Sequence, residues 1–168
     1  VLWYHRGAYR SMFGPWSWEP VLIGVAVFAV WALMVPGDNS RGQQLANLIA
    51  GWPTWPATIW IAFRILGSVI TVPLAEELAF RGYLIRKLVA RDFESVSPGQ
   101  FPGFSFIISS LLFGLVHQHW QAGALAGAGF AIALYRRGKV GDALIAHITS
   151  NALIAIAVVA GGYWGFWA

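Results

Sequence analysis

The chain has no cysteine and very little charge, with eleven Lys and Arg, seven Asp and Glu, and 11% charged residues over 168 positions. The missing cysteine excludes disulfides, thiol nucleophiles and thiolate metal sites, and says nothing about compartment. A soluble domain is about 25% charged, so the shortage of charge excludes an ordinary water-soluble globule. What fills the space is apolar: 58% hydrophobic and 15% aromatic residues, with ten Trp. That many indole rings suits anchoring at a membrane interface. The expected fold is therefore all-α, a polytopic transmembrane helical bundle forming one membrane-embedded domain over 1–168. In such a chain the net charge of +4 reports topology, and no nucleic-acid partner is expected. The first seventeen residues carry arginines but no signal-peptide cleavage pattern, and the chain starts at Val1 rather than Met, so an earlier segment is expected to be an open question.

Apolar runs mark about five spans, near 20–35, 57–87, 104–117, 120–135 and 142–160. A crossing needs about 20 residues, with a range near 17–25, so the first is short and relies on Trp16 and Trp18 at its edge. Residues 43–50 form a small amphipathic piece closed by Pro53 and Pro56. Pro73 is expected to kink the second span. With the N-terminus in the cytoplasm, Arg6, Arg10, Arg81, Arg86, Lys87, Arg91, Arg136, Arg137 and Lys139 fall inside or at the inner interface, which leaves Arg41 outside and Arg64 mid-span. The positive-inside rule favours that orientation. It places Glu76, Glu77 and His147 towards the cytoplasmic half.

Three short patterns inside these runs carry chemistry: Glu76-Glu77-x-x-x-Arg81, Phe113-x-x-x-His117 and His147-x-x-x-Asn151. Ionisable groups are costly in hydrocarbon and persist mainly where they line a cavity. Glu77 and Arg81 are one helical turn apart and can pair. Glu76 points about 100° away, free to face another surface. A carboxylate kept apart from a cation in a low-dielectric place is the more basic one, which suits a general base. The bland alternative is an interfacial Glu–Glu–Arg cluster at a helix end. His147 and Asn151 share a face and can both donate to one developing oxyanion, or else make ordinary helix-to-helix hydrogen bonds. His117 could hold an attacking water with Glu76. His119 is assigned to the interface, Phe113 to the pocket wall, Thr149 and Ser150 to packing, and His5 to no role. Gly123-x-x-x-Gly127 reads as a close-packing face. Depth is the tension: His117 lies roughly 20 Å beyond Phe104, but His147 only roughly 8 Å beyond Asp142, so the two meet only if the third helix starts low or tilts.

Taken together, Glu76-Glu77-Leu78-Ala79-Phe80-Arg81-Gly82, Phe113-Gly114-Leu115-Val116-His117 and His147-Ile148-Thr149-Ser150-Asn151, with Tyr135-Arg136-Arg137-Gly138 ahead of the last, resemble the signatures of the CAAX-protease and bacteriocin-processing (CPBP, or Abi) family. That family is related to the Ras-converting CAAX prenyl protease. The resemblance covers a core of about 73–155. It implies an intramembrane endopeptidase in which Glu76 activates a water held with His117, His147 and Asn151 stabilise the oxyanion, and Glu77, Arg81 and Phe113 support the site. Its metal dependence is left open: either no cofactor is needed, or a divalent ion such as zinc sits on Glu76, His117 and His147. A peptide or membrane protein is the expected substrate, the lipid bilayer the other partner, and a bacterial plasma membrane the expected location. The Trp- and Gly-rich ends also fit relatives associated with exosortase-type enzymes, and no prenyl-binding feature is visible. The oligomeric state is not readable. Two other readings stay in view: a non-catalytic immunity or scaffold protein of the same fold, and a proton-coupled transporter, for which paired broken helices are wanting.

Overall fold

The computed structural model describes residues 15–100 and 102–168; the expectations for His5, Arg6 and Arg10 lie outside the described residues. Six helices and short turns make up the bundle, and no strand occurs among the described residues. The helices are α1 Glu19–Met34, α2 Ser40–Ala50, α3 Thr54–Lys87, α4 Gly103–Leu115, α5 Trp120–Arg137 and α6 Val140–Val159. A helix therefore stands at each of the five expected places, with the amphipathic piece as α2. Among the described residues, only α3 and α6 are long and apolar enough to cross a membrane. The 16 residues of α1 and 13 of α4 give roughly 24 and 20 Å, short of a ~30 Å hydrocarbon layer, and α5 carries polar residues at both ends, Gln121 and Arg136 with Arg137, which shorten its apolar stretch.

Local sequence explains the boundaries. Asn39 accepts from the Gly42 backbone N–H at 2.8 Å and starts α2 as a side-chain cap. Gly138 ends α5 with φ 67°, its N–H bonded to the Leu134 carbonyl at 2.7 Å, a left-handed stop that favours glycine. Helix α3 continues through Pro73 because the turn ahead of it widens: Gly67–Thr71 is π-helical, and the Val72 N–H reaches five residues back to the Gly67 carbonyl. In that register the next donor would serve the Ser68 carbonyl, but proline has none. Asn151 of α6 supplies it, Nδ2 to Ser68 O at 2.8 Å. A second π stretch, Leu78–Leu84, follows the two glutamates. Such widened turns recur at functional sites.

The core joins α1, α3, α4, α5 and α6 around Val27, Ile85, Phe113, Phe130, Ala131, Leu134 and Ala143. Outside it the surface is apolar, with Leu33, Phe63, Trp55 and Leu115 among many exposed large hydrophobics, as lipid contact requires. The two ends of the bundle differ. One gathers Glu19 with Arg136 at 2.9 Å, Arg137 with Asp142 at 3.5 Å, and Arg86 bonded to the Val96 and Glu94 carbonyls. At the other, Trp52, Trp60 and Trp167 stack edge to face, and Gly165 donates to the Gly37 carbonyl, folding the segment after α6 back onto the bundle.

Candidate active site

Glu76 and Glu77 leave α3 in different directions, as adjacent helical residues must. Glu77 is buried at 1% exposure and grips Arg81, also at 1%, through Nε and Nη1 at 3.2 Å each. The Arg81 guanidinium lies 4.5 Å from the centre of the Phe113 ring and donates to the Gly127 carbonyl at 2.6 Å. It thereby ties α3 to α4 and α5. Glu77 also receives His147 Nδ1 at 2.9 Å. An ionised carboxylate only accepts, so the ring proton sits on Nδ1 and Nε2 keeps its lone pair. That Nε2 lies 3.9 Å from Glu76 Oε2. Phe130 stacks on the His147 ring, centroids 4.3 Å apart at 16°, and fixes the plane of the imidazole.

A cavity of about 210 Å3 opens beside this cluster, lined by Glu76, His117, His147 and Asn151 with Phe113 and Phe130. All four of the residues singled out by spacing for chemistry thus face one space. Glu77 and Arg81 stand behind it. The depth conflict is bridged by Phe113: its ring lies 4.7 Å from that of His117 and 5.8 Å from that of His147. His117 lies past the end of α4, on a turn closed by its own N–H to the Gly114 carbonyl at 2.9 Å and by Nδ1 to the Phe113 carbonyl at 2.7 Å. The carbonyl accepts, so His117 also presents Nε2 as a lone pair. His119 lies on the same turn, and the indole of Trp31 meets both rings edge-on, 6.3 Å from His117 and 6.4 Å from His119.

The close approach of α4 and α5 depends on Gly127. A Cβ there would lie 3.0–3.2 Å from the Phe113 side chain, and Phe113 is held by Arg81 and both histidines. We expect Gly127→Val to cost about 1–3 kcal/mol by overpacking and to lower activity with it, read as a lower melting temperature in detergent beside the wild type.

Among the described residues no group of three His, Asp or Glu side chains is arranged to hold a metal ion. The trio Glu76, His117 and His147 shares a cavity without forming such a group. Several neighbours were not readable from the chain. Phe130, Trp31 and Trp167 reach the site from elements distant in sequence, whereas Arg64 and Ser68 share α3 with Glu76, and the i,i+4 stripe Arg64, Ser68, Val72, Glu76 was a signal open to inspection.

Carboxylates, histidines and an asparagine gathered around one cavity of an all-helical protein are groups that a membrane-embedded hydrolase can use. The family described as type II CAAX prenyl endopeptidase Rce1-like matches residues 58–153, a stretch that holds every residue named for chemistry above, and the chain belongs to that family. No curated protein and no solved structure matches it.

Proposed function

We propose that the protein is an intramembrane endopeptidase in which Glu76 activates water for attack on a peptide carbonyl. The observation that carries this reading is Glu76 itself. It lies on the cavity wall at 22% exposure, with Oε2 buried and without a hydrogen-bond partner among the described residues, while Glu77 is committed to Arg81 and His147.

A water between Glu76 and His117 gives one O–H to the carboxylate and the other to the His117 Nε2 lone pair. As its oxygen bonds the carbonyl carbon, Glu76 takes a proton. His147 Nε2, 3.9 Å from Glu76 Oε2, receives that proton through one bridging water or once the two close to hydrogen-bond reach on substrate binding, and once protonated it donates to the oxyanion. Asn151 uses one amide hydrogen on Ser68 and keeps the second for the same oxyanion. A preorganised donor of this kind is worth about 10²–10³ in rate. When the C–N bond breaks, the Glu76–His147 pair returns the proton to the leaving nitrogen. Glu77 sets the tautomer and direction of His147, and Arg81 with Phe113 holds Glu77 and the wall in place.

The substrate is a peptide or membrane-protein segment that enters from the bilayer, in keeping with the apolar outer surface. In a bacterial plasma membrane the positive-inside rule puts the basic end in the cytoplasm, and Glu76 and His147 then sit nearer that face than Arg64 and Trp167. The reading is tested with purified protein in detergent and a peptide panel, wild type beside Glu76→Ala, with and without a chelator. Cleavage that is lost in the variant and unchanged by chelator is the expected result. Cleavage abolished by chelator and restored by zinc would replace the metal-free mechanism with a metal-bound one.

A further inference from the structure

Trp31 brings an unused donor to the cavity. Its Nε1 is the one indole nitrogen among the described residues that is buried and without a hydrogen-bond partner. An indole N–H taken out of water usually finds an acceptor, and leaving it unpaired is costly enough to need a reason. Membrane anchoring is not that reason, because an anchoring tryptophan keeps its N–H at the wet headgroup level. This one is turned inward. Gly24, Val27, Trp31 and Val35 recur at helical spacing along α1 and its C-cap, and Gly24, Val27 and Val35 are buried. Gly24 packs on Ala146 and Thr149 of α6, and Val27 meets Gly129 of α5. That stripe delivers Trp31 to the cavity wall beside Glu76 and His117. Its edge-on ring contacts, 6.3 Å to His117 and 6.4 Å to His119, are weaker than a hydrogen bond. Trp31 also stands outside the family-matched stretch, so no family motif accounts for it.

Resting on the peptidase reading, we propose that Trp31 is a substrate-positioning residue whose Nε1–H donates to a backbone carbonyl of the bound peptide, next to the bond that is cut. The chemistry of the cavity selects that occupant. Glu76 and the Nε2 lone pairs of His117 and His147 accept hydrogen bonds, and an acceptor offers nothing to a carbonyl. The free amide hydrogen of Asn151 and the protonated His147 serve the carbonyl under attack. A peptide brings one carbonyl for every residue, and a neighbouring carbonyl that loses its water on entry needs a donor. Trp31 supplies a neutral one on the side of the cavity where His117 holds the attacking water. The bond forms when the peptide docks and persists through the reaction. It therefore strengthens binding of the substrate and of the transition state alike.

Benzothienylalanine, in which sulfur replaces the indole N–H at nearly the same shape, is incorporated at position 31, with Trp31→Phe as a second variant. Short fluorescein-labelled apolar peptides are made with one carbonyl oxygen at a time exchanged for sulfur, a weaker acceptor. Anisotropy measures their binding to the purified protein in neutral detergent, and hydrolysis is followed in parallel. The benzothienyl variant is expected to bind the parent peptide about 3–10-fold more weakly, the range for one neutral hydrogen bond. KM should rise with little change in kcat. The melting temperature should stay at the wild-type value, because the N–H has no partner to lose in the free protein. The wild type should bind one thioamide peptide more weakly by a similar factor, and neither variant should distinguish that peptide from its parent. Unchanged binding in the benzothienyl variant overturns the proposal, as does a fall in kcat alone, which would assign the N–H to the attacking water. So does a weakening that leaves the thioamide pattern as in the wild type, which would assign the ring to packing. No saturable binding of any peptide by the wild type overturns it as well. Position-specific coupling without hydrolysis would keep the donor and remove the peptidase reading; hydrolysis without coupling would do the reverse.

Discussion

Glu76→Gln is expected to lower kcat for peptide hydrolysis by about 10³, within the range of about 10²–10⁴ for a general base, with little change in KM and no loss of melting temperature. The amide keeps the shape and the neighbours of the carboxylate but cannot take a proton from water. Stability should not fall, because Glu76 Oε2 makes no hydrogen bond among the described residues and faces a cavity rather than a packed layer. Glu77→Gln should behave differently. It removes the charge that faces Arg81 at 3.2 Å and the acceptor for His147 Nδ1 at 2.9 Å, so stability and kcat fall together. Steady-state kinetics and thermal unfolding in detergent on both variants separate the two acids. If Glu77→Gln alone removed activity while Glu76→Gln kept it, the division of labour between them would be reversed.

The separation of the two side chains was legible in the chain because it rests on local geometry. One helical turn separates Glu77 from Arg81, and about 100° separates Glu77 from Glu76, whatever the rest of the bundle does. Spacing of the same kind set His147 and Asn151 on one face. The partner of each group was not legible. The hydrogen bond from Asn151 to Ser68 exists because a widened turn before Pro73 leaves one carbonyl without a donor, and neither the π register nor the approach of α6 can be read from a proline in an apolar run. Phe130 looks like any core aromatic until it is found stacked on His147. The span count shows the opposite limit. Apolar runs located five helices well, and among the described residues α3 and α6 are the ones whose length and apolarity suit a crossing. His117 was expected to end a helix and instead occupies the turn beyond it, because α4 stops at Leu115 and the His117 ring bonds back to the Phe113 carbonyl.

The largest structural effect is expected at Arg81. Its side chain is 1% exposed, supplies the cation that faces the buried Glu77 carboxylate, and bonds the Gly127 carbonyl of α5. Arg81→Met keeps much of the volume against Phe113 and Phe130 but leaves Glu77 as an uncompensated buried charge, a change that costs about 3–5 kcal/mol. The double variant Glu77→Gln with Arg81→Met removes the charge as well as its partner, so it should recover much of that loss in thermal unfolding, since replacing a whole buried pair is often close to neutral. Activity should not recover with it. A glutamine at 77 no longer fixes the proton on His147 Nδ1 by charge, so Nε2 loses its defined role opposite Glu76. Recovered stability with absent hydrolysis would mean that the ion pair is kept for the orientation of the histidine rather than for the strength of the fold. Recovery of both would make the pair a packing device, and failure of both to recover would mean that α3, α4 and α5 depend on the Arg81 bond to Gly127 more than on its bond to Glu77.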